Sequence, residues 1–354
     1  MKISPLEMAP IALRNVKARI PPSLRRPLGY VWRSVARGAT NAVEYLRGKK
    51  ILWDYAAYYR KARKVYLRSE GVPGEPLVGS IADFGLHILF PEDRDACIDL
   101  PGNYLEMIER IHNDVKSQFG RSKNCYFFPR LKLEFIPDKT ADIPAVTNQE
   151  VIVVQLKNSL DIDGLEDLCF PIIQELERKV YRSYAIVEKV FVYRTPLCRQ
   201  VPRASWLWHY DNHPHEILKI LVYLTDVDER SGPFEYLRST QSFQPVPGSP
   251  LAPLYGNSRV PDRTIRRCLQ NGFEGHKVVG PTGTMILFDN NIIHRGNLAK
   301  DTQRDVLVLQ VRPAAFKARP CIDRRWTGSF PHEDFSADPG EITPRIRSNL
   351  GHLK

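Results

Sequence analysis

The sequence predicts a mainly β fold with flanking helices, and three observations carry that expectation. From residue 185 onward, short apolar runs follow one another between turns with no helical stretch among them: 186–193, 218–225, 284–288 and 304–312. Upstream, apolar residues recur at the three- and four-residue spacing of helices. Finally, residues suited to grip one ion, together with the arginine placed behind them, sit on three separate strand-like segments, so they can meet only if strands wrap around a shared interior. Two facing sheets whose inward side chains line a pocket, a double-stranded β-helix or jelly roll, satisfy all three.

Taken in order, residues 1–50 are basic and are interrupted by the turn-rich Arg19-Ile-Pro-Pro-Ser-Leu-Arg-Arg-Pro27. Beyond it Val31, Trp32, Val35 and Val43 can share a helical face opposite Arg33 and Arg37. Such a segment suits an anionic membrane surface, but the short apolar face favours a basic helix packed on the rest of the protein. Residues 51–68 set Trp53, Tyr55, Tyr58, Tyr59 and Tyr66 at helical spacing, the pattern of a core-facing stripe. Proline and glycine make 71–79 a loop.

An amphipathic helix over 103–119 follows from Leu105, Ile108, Ile111 and Val115, with His112 as a packing or surface histidine. Residues 131–136 alternate as a strand, 137–148 form a loop, and the unbroken apolar run 151–156 reads as a strand buried on both faces. Asp163 and Glu166 have the spacing of a capping box, opening a helix through Leu165, Leu168, Ile172, Ile173, Leu176 and Val180 that Pro171 must kink. After the strand 186–193, residues 199–205 lead into the segment carrying the first ligands, and the strand 218–225 ends in the turn 226–233. Residues 244–275, rich in Pro, Gly and Arg with little periodicity, read as a long functional loop. Turns at 281–283 and 289–291 flank the strand 284–288, and Pro313 ends the strand from 304. The tail, without clear period, is expected to wrap the surface. The chain thus divides into a basic, largely helical arm (1–70), a buttress of helices and short strands (71–184), the β core (185–313) and the tail (314–354).

At 354 residues, 43% hydrophobic and 26% charged, the usage is that of an ordinary globular protein. No apolar run approaches the ~20 residues that span a bilayer. The six cysteines, at 97, 125, 169, 198, 268 and 321, form no C-x-x-C pair. With no secretory-signal pattern at the N-terminus, they suggest reduced thiols in the cytoplasm. The net charge of +11 is concentrated: the first seventy residues hold sixteen Lys/Arg against four acidic residues, which leaves about −1 for the remainder. A nucleic-acid-binding enzyme would carry its basic footprint on the folded core, so this distribution speaks against that class. It marks a basic arm, whose contact with an anionic membrane is the one route to a peripheral location.

The stretch Trp206-Leu-Trp-His-Tyr-Asp-Asn-His-Pro-His215 holds His209 and Asp211 two residues apart, on one face of an extended strand. A His-x-Asp pair by itself is common on surface loops. Its weight comes from two residues further along the chain. His294 in Asn291-Ile-Ile-His-Arg-Gly296 arrives after another strand, and Arg304 opens an apolar run ten residues later. Two imidazoles and one carboxylate on one face of an ion leave positions open for other ligands and suit non-haem Fe(II).

On these residues, together with Leu218-Lys-Ile-Leu-Val-Tyr-Leu-Thr-Asp-Val-Asp-Glu-Arg-Ser-Gly-Pro233 and Gly283-Thr-Met-Ile-Leu-Phe-Asp289, the chain resembles the phytanoyl-CoA dioxygenase-like family of Fe(II)/2-oxoglutarate-dependent oxygenases over about residues 185–313. The resemblance implies a cupin-like jelly-roll core with iron on His209, Asp211 and His294. It implies that 2-oxoglutarate and O2 take the open positions, with Arg304 pairing with the far carboxylate of 2-oxoglutarate. The implied reaction hydroxylates a small molecule or biosynthetic intermediate while 2-oxoglutarate becomes succinate and CO2. The carboxylate of Asp211 fits hydroxylation, since related halogenases lack it so that chloride can bind. Two departures stand out. Leu237-Arg-Ser-Thr-Gln241 replaces a Pro-Gly-Ser-His type of turn near the mouth of the site, which bears on substrate choice, and Gly296 stands where many relatives carry a hydroxyl residue.

Other residues have claims on the same pocket. Lys219 and Tyr223 share parity on one strand, and both are cosubstrate contacts if that face turns inward. His213 and His215 continue the parity of His209 and Asp211, but Pro214 disrupts a regular strand between them. Arg312 is a second arginine on the last strand, at its far end, and Trp206 and Trp208 suit either core or pocket wall. Two other functions compete: a cupin-like metal enzyme without 2-oxoglutarate, which has no use for a buried cation at 304, and a non-catalytic jelly-roll binding module, which has no use for a complete ligand set. Substrate identity and oligomeric state are not written in these motifs.

Overall fold

The strands, in chain order, are β1 (Leu86–Leu89), β2 (Cys125–Pro129), β3 (Val151–Leu156), β4 (Tyr184–Thr195), β5 (Leu218–Tyr223), β6 (Phe234–Ser239), β7 (Phe273–Val278), β8 (Met285–Asp289), β9 (His294–Gly296) and β10 (Arg304–Ala314). The helices are α1 (53–70), α2 (Tyr104–Phe119), α3 (Leu165–Glu175), which runs on as a π turn over Leu176–Tyr181, and α4 (Asp262–Gln270). The computed structural model describes residues 53–71, 85–93, 97–129, 151–197, 204–211, 213–242, 244–248 and 259–324.

Seven strands pair in the order β1-β8-β5-β10-β4-β3-β2, and three more in the order β7-β6-β9. The pairings between these ten strands are antiparallel. The alternation of side chains along β5 and β10 decides what each face of the large sheet touches. Leu218, Ile220, Val222, Leu307, Leu309 and Val311 point outward into a core shared with Ile108, Ile111 and Val115 of α2 and Leu168 and Ile172 of α3. Leu221, Tyr223, Val306 and Val308 point inward and pack against Phe234, Tyr236 and Val278 of the small sheet. The result is a mainly antiparallel β fold of two facing sheets with flanking helices, as the sequence predicts. On the outside of the small sheet, Ile265 of α4 packs with Trp208, Leu237 and Ile293.

The local expectations fare unevenly. In α2 the face is set by Tyr104, Ile108, Ile111, Val115 and Phe119, and Leu105 lies in solvent. Asp163 does not cap α3: the N-cap is Gly164 at φ 79°, and Asp163 is engaged by Arg110 while Glu166 accepts the backbone N–H of Cys321. The stretch 244–275 contains two elements that its composition conceals, α4 and β7. Leu237, Arg238 and Ser239 belong to β6, so the turn there is confined to Thr240 and Gln241. Strand β10 runs through Pro313 to Ala314. In α1, Tyr55 and Tyr66 are buried but Trp53 is 79% exposed. The Tyr66 ring packs edge-on against Tyr184 of β4 at 5.1 Å, and the compact unit holding the sheets begins at Ile51. The strand expected over 131–136, the arm before residue 53 and the tail beyond 324 lie outside the described residues. No helix among the described residues is long and apolar enough to cross a membrane.

Candidate metal centre

His209 is not in a long strand. It occupies a single rung beside β9, where its N–H donates to the His294 carbonyl at 2.9 Å and its carbonyl accepts the His294 N–H at 2.8 Å. Residues directly opposed in an antiparallel pair carry their side chains on the same face, so this rung brings the two imidazoles together, with ring centroids 4.3 Å apart. The next rung is made by the Asp211 N–H, which donates to the Asn290 carbonyl at 2.8 Å and returns the carboxylate to the same face. His209 Nε2 lies 3.9 Å from Asp211 Oδ1 and His294 Nε2 lies 3.8 Å from Asp211 Oδ2, and the three potential ligand atoms are all within 4.8 Å of one another.

Backbone carbonyls hold the tautomers. His209 Nδ1 donates to Leu207 O at 2.8 Å and His294 Nδ1 donates to Ile292 O at 2.9 Å. A carbonyl can only accept, so the proton sits on Nδ1 and both Nε2 lone pairs face Asp211, which is the arrangement a metal requires. The His294 ring is clamped between Phe234, stacked at 5.3 Å, and the edge of Phe288, also at 5.3 Å. Burial pushes the His209 imidazole down to about 3, helped by His294, and burial likewise lowers His294. Burial would raise the Asp211 carboxyl. The Lys219 ammonium, then the two imidazoles, outweigh it and hold the group well below the usual carboxylate range. The three side chains are therefore a neutral, neutral and anionic set, fit for a divalent ion.

Inward faces of β5 and β10 carry the other polar groups. Lys219 and Tyr223 both point inward, along with Leu221 between them. Lys219 Nζ donates to Asp211 Oδ2 at 2.6 Å, so it acts on the carboxylate of the candidate triad itself. The Tyr223 hydroxyl donates to Val278 O at 2.7 Å and accepts the Phe234 N–H at 3.1 Å, joining the sheets, while its ring lies 6.0 Å from the Arg304 guanidinium.

Arg304 is 1% exposed. Its Nη2 reaches Thr195 Oγ1 at 3.4 Å, and its Nε and Nη1 have no hydrogen-bond partner among the described residues. A buried guanidinium with idle N–H groups is costly unless something else accepts them. One position along, Arg194 shows the satisfied alternative: on the outer face it holds Asp305 through two bonds of 2.7 Å. Gly296 stands beside this guanidinium: a Cβ added there would lie at ordinary contact distance, 3.7 Å from Arg304 Nη2 and 3.7 Å from Trp206 Nε1. Trp206 thus lies beside Gly296, donating from Nε1 to Asn297 O, whereas Trp208 turns outward beneath the Arg295 guanidinium.

The remaining histidines separate. His213 stays by the pocket, where burial lowers its imidazole to about 4 and Asp211, Lys189 and Lys219 act on it. His215 turns away and donates from Nδ1 to Asp289 Oδ2 at 2.5 Å. Arg312, at the far end of β10, lies 3.9 Å from Glu188 and 3.9 Å from Asp323. Sequence reasoning missed one residue of the site, Arg259. Its backbone makes the rung on the other side of His209, and its half-buried side chain sits in a stretch whose lack of periodicity hides any parity argument.

No family model matches the chain, and no curated protein matches its sequence. Solved structures do match. One is AviO1 from Streptomyces viridochromogenes Tue57, with 14% identity over 64% of this chain and 89% of that one at a TM-score of 0.39. Another is EctD from S. alaskensis, crystallised with 2-oxoglutarate and 5-hydroxyectoine, with 15% identity over 73% and 86% at 0.41. A third is SnoN, a non-haem alpha ketoglutarate dependent epimerase from nogalamycin biosynthesis, with 13% identity over 75% and 85% at 0.42. At such identities and scores the likeness assigns neither a ligand nor a reaction to this chain.

Proposed function

We propose that the chain is an Fe(II)/2-oxoglutarate-dependent dioxygenase of the phytanoyl-CoA dioxygenase-like kind, hydroxylating a small molecule or biosynthetic intermediate. The observation that carries the reading is Arg304, a permanently charged group sealed on the inner face of the same sheet as Lys219, with two nitrogens, Nε and Nη1, whose N–H donors nothing among the described residues accepts. A metal enzyme that uses no dicarboxylate leaves those donors unexplained, and a passive binding module leaves the ligand set unexplained.

The residue roles follow from the geometry. His209 and His294 would hold Fe(II) through Nε2 and Asp211 through its carboxylate. Bound there with 2-oxoglutarate, the metal supplies O2 activation, coupling conversion of 2-oxoglutarate to succinate and CO2 with oxidation of a substrate C–H bond. Arg304 would bind the far carboxylate of 2-oxoglutarate through parallel hydrogen bonds, with the Tyr223 ring beside it and no side chain at the neighbouring Gly296 to compete for the ligand's place. Lys219 keeps Asp211 ionised and turned toward the metal. Phe234, Phe288 and Val306 give the pocket dry walls.

Anaerobic titration of the protein with Fe(II) and then 2-oxoglutarate tests the reading. A weak visible charge-transfer band is expected, and Arg304→Ala should weaken 2-oxoglutarate binding by about 2 kcal/mol or more while iron stays bound. Equal 2-oxoglutarate affinity in the variant would remove Arg304 from this role. Succinate release across a panel of small molecules then reports the substrate.

A further inference from the structure

The far carboxylate proposed to sit on Arg304 has more acceptor positions than one guanidinium fills. An ionised carboxylate offers about four lone-pair positions, and a guanidinium fork takes two of them. In a site closed to water the others are costly if left unpaired. On the β9 side Gly296, beside Arg304 Nη2, brings no side chain to fill them. The β4 side is different. Thr195 stands directly opposite Arg304 across β4 and β10, and opposed residues of an antiparallel pair share a face. Its side chain is fully buried, and its Oγ1 lies 3.4 Å from Nη2, the nitrogen that Gly296 also adjoins. Oγ1 accepts that long bond, which leaves its own O–H proton to give, and no acceptor for it stands among the described residues.

Tyr193 lies two residues back on the same face of β4, diagonal to Arg304, a separation that an aromatic side chain spans. It packs with the inward cluster of Val306 and Tyr223, and its hydroxyl has no hydrogen bond among the described residues. Burial, and to a smaller degree Tyr193, raise the Tyr223 hydroxyl to about 12, so the two phenols are close neighbours, and the Tyr223 ring is 6.0 Å from the Arg304 guanidinium. Gln155 continues the row on β3, opposite Tyr193. Its neighbours Val154 and Leu156 belong to the outer core, so its carboxamide faces inward, where it is 7% exposed with an Nε2 that has no partner. Val153, one step along that face, packs against Trp206, the residue that adjoins Gly296. Gln155 Nε2 and the idle Arg304 nitrogens can only donate, so the group that fits between these side chains is one that accepts.

We propose that the hydroxyls of Thr195 and Tyr193 and the carboxamide of Gln155 complete the seat of the far carboxylate that Arg304 begins, so that β3 and β4 supply its neutral donors and β9 supplies none. This inference rests on the 2-oxoglutarate reading above and deepens it by naming the residues that tell a dicarboxylate from a monocarboxylate. Charge alone gives Arg304 attraction to any anion. Neutral donors converging from one side add direction, since each is satisfied only by an oxygen placed between it and the guanidinium.

The test uses the full chain loaded anaerobically with Fe(II) and two ligands read by the visible band: 2-oxoglutarate, and 2-oxopentanoate, in which a methyl group replaces the far carboxylate. Thr195→Val is expected to weaken 2-oxoglutarate about tenfold, and Tyr193→Phe and Gln155→Leu about threefold to tenfold each. The weaker affinity for 2-oxopentanoate should be the same in wild type and variants, which a general packing defect would not allow. Thr195→Ser keeps the hydroxyl and should keep wild-type affinity. Gly296→Ser, which brings a hydroxyl to Nη2 from the other strand, should recover more in the Thr195→Val background than it adds to the wild type. Wild-type affinity for 2-oxoglutarate in any of the three variants that lose a donor, or an equal loss for both ligands, would overturn the assignment. Failure of the underlying reading looks different, because the wild type itself would then show no visible band or no preference for 2-oxoglutarate over 2-oxopentanoate.

Discussion

Single side chains define this site by the partners they lack. Arg194 and Arg304 are neighbours on paired strands, yet one is bound to Asp305 and the other keeps idle donors in the space beside Gly296 and Trp206. Gly296 gives a direct way to measure that space. Its neighbours lie at ordinary contact distance from an added Cβ, and its φ is outside the left-handed region, so a side chain is tolerated without strain. Gly296→Ser is expected to change stability by less than about 0.5 kcal/mol and to tighten 2-oxoglutarate binding a few-fold, its hydroxyl supplying the hydrogen bond that many relatives of the resembled family have there. Gly296→Leu should fill the space and weaken binding about tenfold or more, both read by anaerobic titration. Wild-type affinity in the leucine variant would mean that the ligand lies elsewhere. A second expectation concerns protons. With His209 lowered to about 3, His294 lowered by burial and Asp211 held ionised chiefly by Lys219, the triad carries no ligand-site proton near neutral pH. Metal binding at about pH 7 should therefore release close to no proton, where two solvent-exposed histidines would release about half a proton between them. Calorimetry of Co(II) binding in two buffers of different ionisation enthalpy counts them.

Elements show which parts of this architecture local sequence can encode. The pair Arg194–Asp305 ties β4 to β10, and the guanidinium also lies 4.5 Å from the centre of the Phe119 ring of α2. Asp305→Ala would leave that cation buried without its carboxylate and should cost about 3–5 kcal/mol in denaturant unfolding, whereas Arg194→Met combined with Asp305→Leu should cost less than the single change. A single variant within about 0.5 kcal/mol of wild type would show that water reaches the pair. Neither partner announces the contact in sequence, since they are 111 positions apart. The same limit explains Asp163: its spacing to Glu166 reads as a cap, but Arg110, 53 positions away, competes for the carboxylate and wins. Strands buried on both faces, such as β5, β8 and β10, were legible because their unbroken apolar runs are of strand length, rich in Val and Ile and bounded by turns. Elements of the small sheet's edge were not. Five of six residues of β7 are partly or fully exposed and α4 buries Ile265 alone, so neither leaves a hydrophobic period to read. For the same reason parity along β5 points Lys219 and Tyr223 to one face but says nothing of the 2.6 Å bond to Asp211, which depends on how a separate segment crosses above it.

For the molecule as a whole, the site's chemistry is set against its stability. Holding imidazoles neutral between two sheets gives a metal its ligands but makes the empty protein sensitive to acid. Unfolded, His209 takes up a proton near its ordinary value of 6.5, while folded it does so only near 3. Between those values the unfolded chain binds more protons than the folded one, so stability falls as pH falls, by about 2 kcal/mol from this group alone between pH 6.5 and pH 5. His294 acts in the same direction, and Asp211 extends it below the ordinary carboxylate range because its folded form resists protonation. A net charge of +11 adds general self-repulsion as acid increases, so the slope must be assigned by a variant and not by the wild type alone. His209→Asn removes the titrating ring while keeping a side chain able to hydrogen-bond, and its apparent unfolding temperature should fall less steeply than that of the metal-free wild type between about pH 7 and pH 5. Saturating Co(II) should raise the wild-type curve at neutral pH, by about 2.7 kcal/mol at a hundredfold excess over Kd, and leave the variant nearly unmoved. Parallel acid profiles for the two metal-free proteins would show that His209 titrates as it does in water, and the dry, preorganised triad argued from Leu207, Phe234 and Phe288 would have to be abandoned.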